Sequence, residues 1–384
     1  MNKINNIQEK SPRQLEQTAK EKNKLKKKKG VNFANLFIRI SLQERVMFAR
    51  HLAVGLKSGM TLQKSLQMII DQTKSKSFKK ILQKFIDDTT NGMFLSDSME
   101  KYRSIFGELF INIVRVGEQS GTLIENLNYL SSELKKKKAL KSKVRGALIY
   151  PVIILIATIG IVATLMIGVF PKILPVFSNL NIDLPITTRI LIVVSTFMSN
   201  YTILLIIALF VFIAAIWWIS HYDFYKRIWH RTLLSLPVIG KIVIKVNSTT
   251  FTRVLGLLLK SGVQIIEAVE ITASTMDNYV YRREIQKGAE ELRKGDFFSK
   301  YIRTKKKFFP VTLVNMIEVG ENTGNLTENL AYLAEFYEGE VDETLKNLSS
   351  IIEPILLLIM GLLVGFIALS VITPIYSISQ TLTL

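Results

Sequence analysis

One polar phrase occurs twice in this chain. Residues 115–130 read RVGEQSGTLIENLNYL and residues 318–333 read EVGENTGNLTENLAYL, so the frame VGExxGxLxENLxYL returns after 203 residues. The same offset holds outward from the phrase. It pairs Phe48 with Phe251, Arg50 with Arg253, Gly92 with Gly295, Pro151 with Pro354 and Pro171 with Pro374, without a gap. Register kept through prolines and glycines over such a length is the mark of a tandem duplication, so any fold must be one unit built twice.

Each unit ends in an apolar run. Residues 147–170 read ALIYPVIILIATIGIVATLMIGVF and residues 355–372 read ILLLIMGLLVGFIALSVI, neither with a charge. A third run, TILLIIALFVFIAAIWWI at 202–219, has no partner at the offset. About 20 apolar residues make a helix as long as the ~30 Å hydrocarbon core is thick, so all three read as transmembrane helices. The unpaired middle run is required by topology, because it returns the second unit to the side of the first. Lysine and arginine gather before the first run (KKKKALKSKVR, 135–145) and after the second (Lys226, Arg227, Arg231), while the segment between carries only Lys172 and Arg189. By the positive-inside rule both large units are cytoplasmic.

The expected organisation is a basic, disordered N-terminal tail (1–40), a first helical domain (41–146), a first span (147–170), an external linker (171–200), a second span (201–219), a second helical domain (220–350), a third span (351–373) and an external tail (374–384). The fold class is an all-α membrane protein with two homologous helical bundles. Pro151 and Pro354 stand at the entries to the first and third spans. The first residues lack an apolar signal segment, so the first span is expected to direct insertion.

Within a unit, LQERVMFARHLAVGLKSG places Val46, Phe48, Ala49, Leu52, Ala53 and Leu56 on one helical face. The doubled phrase reads as a corner between two helices, with Gly117-Glu118-x-x-Gly121 and Gly320-Glu321-x-x-Gly324 as the turns. Thr122 with Glu125, and Asn325 with Glu328, have capping-box spacing for the helices that follow. That leaves Glu118 and Glu321 unexplained. A solvated turn carboxylate, a bond to a neighbouring helix, and contact with a partner or cation are the open alternatives.

Several chemistries lack their residues. There is no cysteine, hence no disulfide, thiol catalysis or thiolate metal site. His51, His221 and His230 have no metal-ligand spacing, and no GxxxxGK[ST] loop cradles a phosphate. No cofactor is expected. The spans carry no ionisable residue at depth, which argues against an ion pathway. The net charge of +19 sits largely in the tail and beside the first span, where it suits anionic lipids rather than nucleic acid, for which no reader fold accompanies it.

FARHLAVGLKSGMTL (48–62), the two GExxGxL corners, KVRGALIYPVIIL (143–155) and VFPKILPVFSNLNIDLPITTRILI (169–192) resemble the type II secretion system F family over Ile40 to Tyr376. The resemblance implies a non-enzymatic platform protein of a bacterial inner membrane. Its partners would be a hexameric assembly ATPase, pilin or pseudopilin subunits, other inner-membrane assembly proteins and further copies of itself. A membrane-anchored signalling scaffold and a non-catalytic transporter subunit are the alternative readings. The family's small N-terminal region is replaced here by the basic tail.

Overall fold

The computed structural model describes residues 40–173, 185–219, 222–236 and 239–382, all helix and turn; the expected tail up to residue 39 and part of the expected linker, including Asn179, lie outside them. The first unit runs α1 (Leu42–Lys57), α2 (Leu62–Gln72), α3 (Lys76–Thr90), α4 (Leu95–Glu100), α5 (Arg103–Phe106), α6 (Glu108–Ser120) and α7 (Leu123–Thr164). Next come α8 (Ile186–Asn200), α9 (Thr202–Ile219) and α10 (Asp223–Ser235). The second unit is α11 (Ile239–Lys260), α12 (Ile265–Thr275), α13 (Tyr279–Arg293), α14 (Phe298–Arg303), α15 (Val311–Thr323) and α16 (Leu326–Leu382). The helices α12, α13, α14 and α15 begin and end 203 residues after α2, α3, α4 and α6. The duplication is therefore one of folded structure, helix for helix.

Local signals set these boundaries. Ser41 and Glu44 close a capping box at the start of α1. Thr61 accepts from the Lys64 amide at the start of α2, and Ser75 from the Phe78 amide at the start of α3. The apolar face of α1 is buried as its periodicity predicts, with Phe48 in the middle of a cluster of rings that includes Phe78, Phe85, Phe106 and Phe110. Phe251 takes the same place in the second bundle, against Phe298 and Phe309.

The two bundles are fused rather than strung apart, and their apolar cores form one continuous cluster. Arg253, with 6% of its side chain exposed, crosses the seam. Its Nε lies 2.9 Å from Glu133 Oε2 of α7, without the alignment of a hydrogen bond, and its Nη2 donates to Glu338 Oε2 of α16 at 2.6 Å. Lys260 sits 4.1 Å above the Tyr129 ring on the same seam.

No linker separates bundle from span. The helix that starts at Leu123 continues, through a π-helical stretch at Leu165–Val169, to Ile173. Helix α16 runs 57 residues from the second corner to Leu382, about 85 Å of unbroken helix. Pro151 and Pro354 both lie inside these helices and terminate neither. The expected external tail is helical up to Leu382.

Besides the three expected spans, α11 is long and apolar enough to cross a membrane, but most of it is buried inside the second bundle. Most apolar side chains of the three expected span helices are left uncovered by the described residues. Of the expected linker, residues 171–173 prolong the first long helix, and α8 packs on the expected span helices. Thr188 Oγ1 donates to the Ser370 carbonyl at 2.8 Å and Ser195 Oγ to the Met166 carbonyl at 2.7 Å. An apolar contact among Met166, Phe170 and Leu191 completes this joint.

Candidate functional site: the two glutamate corners

At the first corner α6 ends at Ser120 and the chain reverses through Gly121, at φ 73°, ψ 9°. At the second, α15 ends at Thr323 and Gly324 holds φ 77°, ψ 0°. A left-handed residue just past a helix end is where glycine costs least. The turn is thus shorter than the phrase suggests, since Gly117, Glu118, Gly320 and Glu321 belong to the last helical turns. Gly117 and Gly320 serve packing. A Cβ on Gly117 would stand 2.8 Å from the Leu123 Cα, and one on Gly320 would stand 2.8 Å from the Leu326 Cα. Only a bare Cα lets the two helices of each corner close this far.

The carboxylates are engaged by backbone amides. Glu118 is half-buried, and accepts from the Leu95 amide at 2.6 Å through Oε1 and from the Ser96 amide at 2.9 Å through Oε2. Glu321 accepts from Phe298 N at 2.8 Å and Ser299 N at 3.1 Å in the same manner. These are the first amides of α4 and α14, whose N-cap residues, Phe94 and Phe297, have no side-chain acceptor. A helix start leaves N–H groups unsatisfied and carries partial positive charge, so a carboxylate there supplies two charge-assisted bonds and meets a favourable dipole. Each glutamate is the missing cap of a short helix more than twenty residues upstream in sequence.

The asparagine of each ENL triplet adds a second tie across the corner. Asn126 Nδ2 donates to the Ile113 carbonyl at 3.3 Å, and Asn329 Nδ2 to the Met316 carbonyl at 3.0 Å. Nothing in the spacing of the triplet signals either bond.

The capping boxes expected at Thr122/Glu125 and Asn325/Glu328 are not formed among the described residues. Thr122 has φ −101°, ψ 27° instead of extended backbone, so its hydroxyl misses the amides of α7 and lies 2.7 Å from Ser120 Oγ. Glu125 is exposed. The Asn325 amide is itself a donor, at 3.5 Å to Thr323 Oγ1, and Glu328 reaches no cap amide. Having just left a left-handed glycine, the chain enters the helix too steeply for the side chain to bend back.

Among the described residues no group of three or more His, Asp or Glu side chains could hold a metal. His230 accepts from the Tyr279 amide through Nδ1 at 3.1 Å. The corner chemistry is therefore that of a latch, in which carboxylate, glycine and asparagine fix the angle between the bundle and the long helix that leaves it.

The geometry repeats at the spacing at which the chain matches known proteins. The profile of the Type II secretion system (T2SS), protein F family matches residues 48–171 and again residues 251–374. The type IV pilus assembly protein PilC of Thermus thermophilus is 35% identical over 343 residues, 89% of this chain and 84% of its own length. The type II secretion system protein F of Vibrio cholerae is 30% identical over 90% of this chain and 84% of its own length. PilC of Pseudomonas aeruginosa is 28% identical over 92% of this chain and 95% of its own length. With both units matched and relatives aligned nearly end to end, the chain belongs to the type II secretion system protein F family.

Proposed function

We propose that this chain is the inner-membrane platform of a type IV pilus or type II secretion machine, and that it passes the motion of a cytoplasmic assembly ATPase to pilin or pseudopilin subunits. The names of its relatives support the setting. The lysine and arginine distribution supports cytoplasmic bundles, where an ATPase would dock. One observation carries the coupling step. Each latched corner opens directly into a helix that continues without a break into a span, Leu123–Ile173 in one unit and Leu326–Leu382 in the other. A rotation imposed on a bundle would reach the bilayer through a rigid rod. The chain would be a transmission, with no phosphate loop of its own.

The test is a flexible insertion, Gly-Ser-Gly-Ser, between Gly146 and Ala147. Bundle and span should both persist, with wild-type membrane levels, while fibre assembly measured by shearing and immunoblot is abolished. Normal fibre yield from that variant would remove the rod from the mechanism.

A further inference from the structure

A cavity of about 1140 Å³ opens where the first bundle meets its span. It exceeds the roughly 300–1,000 Å³ of an ordinary small-molecule site. Its upper wall is basic and its lower wall is the start of the span, Leu148, Ile149, Val152 and Ile153. The far side is supplied by the second bundle, at Val246 and Thr250 of α11 and at Asp277.

The charge in this cavity is unbalanced. Arg103 is neutralised by Glu100 and Glu108. That leaves Arg45, Lys137, Lys141 and Arg145 facing a single carboxylate, Asp277. Arg45 gives one N–H to the Ile105 carbonyl, and its buried Nε has no acceptor among the described residues. Lys137 is enclosed enough that burial pushes its pKa below the ordinary lysine value, with Asp277 opposing and Arg45 reinforcing that push. Two cations held together inside a cavity, each short of an acceptor, form an electrostatic deficit that an anion would cure.

The second copy does not reproduce it. At the equivalent positions stand Ser248, Glu340, Thr344 and Leu348. There α11 begins earlier than α1 does, and its Ile242 packs with Val341 and Leu345 on the corresponding flank. The basic cavity is therefore not a by-product of the duplicated fold.

We propose that this cavity binds one anionic phospholipid of the surrounding leaflet, with its phosphate among Arg45, Lys137, Lys141 and Arg145 and its acyl chains along Leu148–Ile153. Charge complementarity selects the head, and continuity of the apolar wall with the span selects a molecule with chains over a free phosphate. Basic pockets at the membrane mouth of helical proteins suit such headgroups. A lipid seated there touches both bundles and the first rod, and so would stiffen the joint on which the proposed coupling depends. The binding itself rests only on the membrane placement of the span.

The experiment uses the full chain purified in mild detergent, exchanged into a mixture of phosphatidylglycerol and phosphatidylcholine and read by native mass spectrometry. Wild type should retain one phosphatidylglycerol per chain in preference to phosphatidylcholine. The double variant Lys137→Gln/Lys141→Gln should lower that selective retention about tenfold or more, as expected for two lysines near a headgroup. Lys135→Gln/Lys136→Gln removes equal charge from the same helix outside the cavity and should change retention less than about twofold, since neither lysine would touch the headgroup. Val152→Trp fills the apolar end with no change of charge and should also abolish retention; it stays informative if the lysine variant fails to fold, as judged by helical content and monodispersity. Absence of a selective lipid in wild type overturns the site. So does equal loss from the two lysine pairs, which would signal bulk attraction, or full retention by Val152→Trp.

Discussion

The first bundle centres on Phe48, Phe78, Phe85, Phe106 and Phe110, with ring centroids 5.3 to 6.4 Å apart. The second replaces Phe78 with Tyr281, whose buried hydroxyl donates to the Phe308 carbonyl at 2.5 Å and whose phenol burial pushes strongly upward in pKa. In the first copy Glu100 pairs with Arg115 at 3.2 Å; in the second the equivalent positions are reversed, Arg303 with Glu318. Arg50 is exposed, while its counterpart Arg253 is buried across the seam between bundles. The latch, by contrast, is the same in both copies, from the glutamate on two amides to the bare glycine and the asparagine tie. Backbone-directed contacts fix the geometry of the unit. Contacts between side chains differ between the copies, by reversal at the exposed pair and by a new partner set where Arg253 crosses the seam.

The largest effect should come from that asymmetry. Arg253→Met takes the cation from Glu338, 23% exposed, and leaves Glu133, 22% exposed, with only Lys136 at 3.6 Å. Breaking a fully buried pair costs roughly 3–5 kcal/mol, and partial exposure should bring this to about 2–3 kcal/mol. Arg50→Met, on the surface, should stay within about ±0.5 kcal/mol. Thermal or urea unfolding of the full chain in detergent would compare them. Equal effects would mean that the seam does not depend on Arg253.

Next come the corner glycines, where the copies should respond alike. Gly117→Ala and Gly320→Ala each press a methyl group on backbone at 2.8 Å. Overpacking of this kind costs typically 1–3 kcal/mol, because the helices must part. One tolerant copy and one intolerant copy, in the same unfolding assay, would show that the corners are not equivalent.

Glu118→Gln and Glu321→Gln are gentler. Glutamine keeps one acceptor oxygen and puts an amide NH2 against the second backbone N–H. The loss of one charge-assisted cap bond should cost about 1 kcal/mol in either copy. Hydrogen exchange at Leu95, Ser96, Phe298 and Ser299 would rise locally. Unchanged protection at these amides would mean that the carboxylates do not hold α4 and α14.

Most of this fold is legible in the sequence. The 203-residue register and the uncharged runs needed only composition and periodicity. The latch was legible in part. The phrase marked a corner, and the two unassigned glutamates marked something beyond it. Their partners were hidden because capping rules look three residues ahead, whereas these amides lie 22 and 23 positions back. A usable cue existed, since Phe94 and Phe297 begin helices without an acceptor of their own in both copies. The capping boxes failed for a related reason: spacing supplied the residue types, but the left-handed glycine before them set a backbone angle that spacing does not encode. The continuity of span and bundle was masked by Pro151 and Pro354, which read as boundaries. Each removes one helical hydrogen bond and still leaves the helix intact where the membrane entry was expected.

The smallest effect belongs to the reversed ion pair, and it separates the copies by their neighbours. In the second copy Arg303 and Glu318 are 46% and 47% exposed, and Arg303 also donates to Asn315. Exchanging them, Arg303→Glu with Glu318→Arg, recreates the first copy's arrangement, with Lys306 where Arg103 stands. Exposed pairs contribute about 0.2–1 kcal/mol, so this double exchange should be neutral within about 0.5 kcal/mol. The mirror exchange, Glu100→Arg with Arg115→Glu, restores the pair but sets a new arginine against Arg103, which now bonds Glu100 at 2.6 Å. Glu100 loses its role as shared acceptor, a role in which the Arg103 hydrogen bond, with Arg115 adding to it, holds its carboxyl below the usual range. This exchange should cost about 0.5–1 kcal/mol, the upper part of the surface range, and should recover as salt is raised and the like charges are screened. A cycle of single and double variants at low and high salt measures both. If the first-copy exchange is as silent as the second, Glu100 holds only one partner, and the reversed pairs are interchangeable surface contacts with no memory of their surroundings.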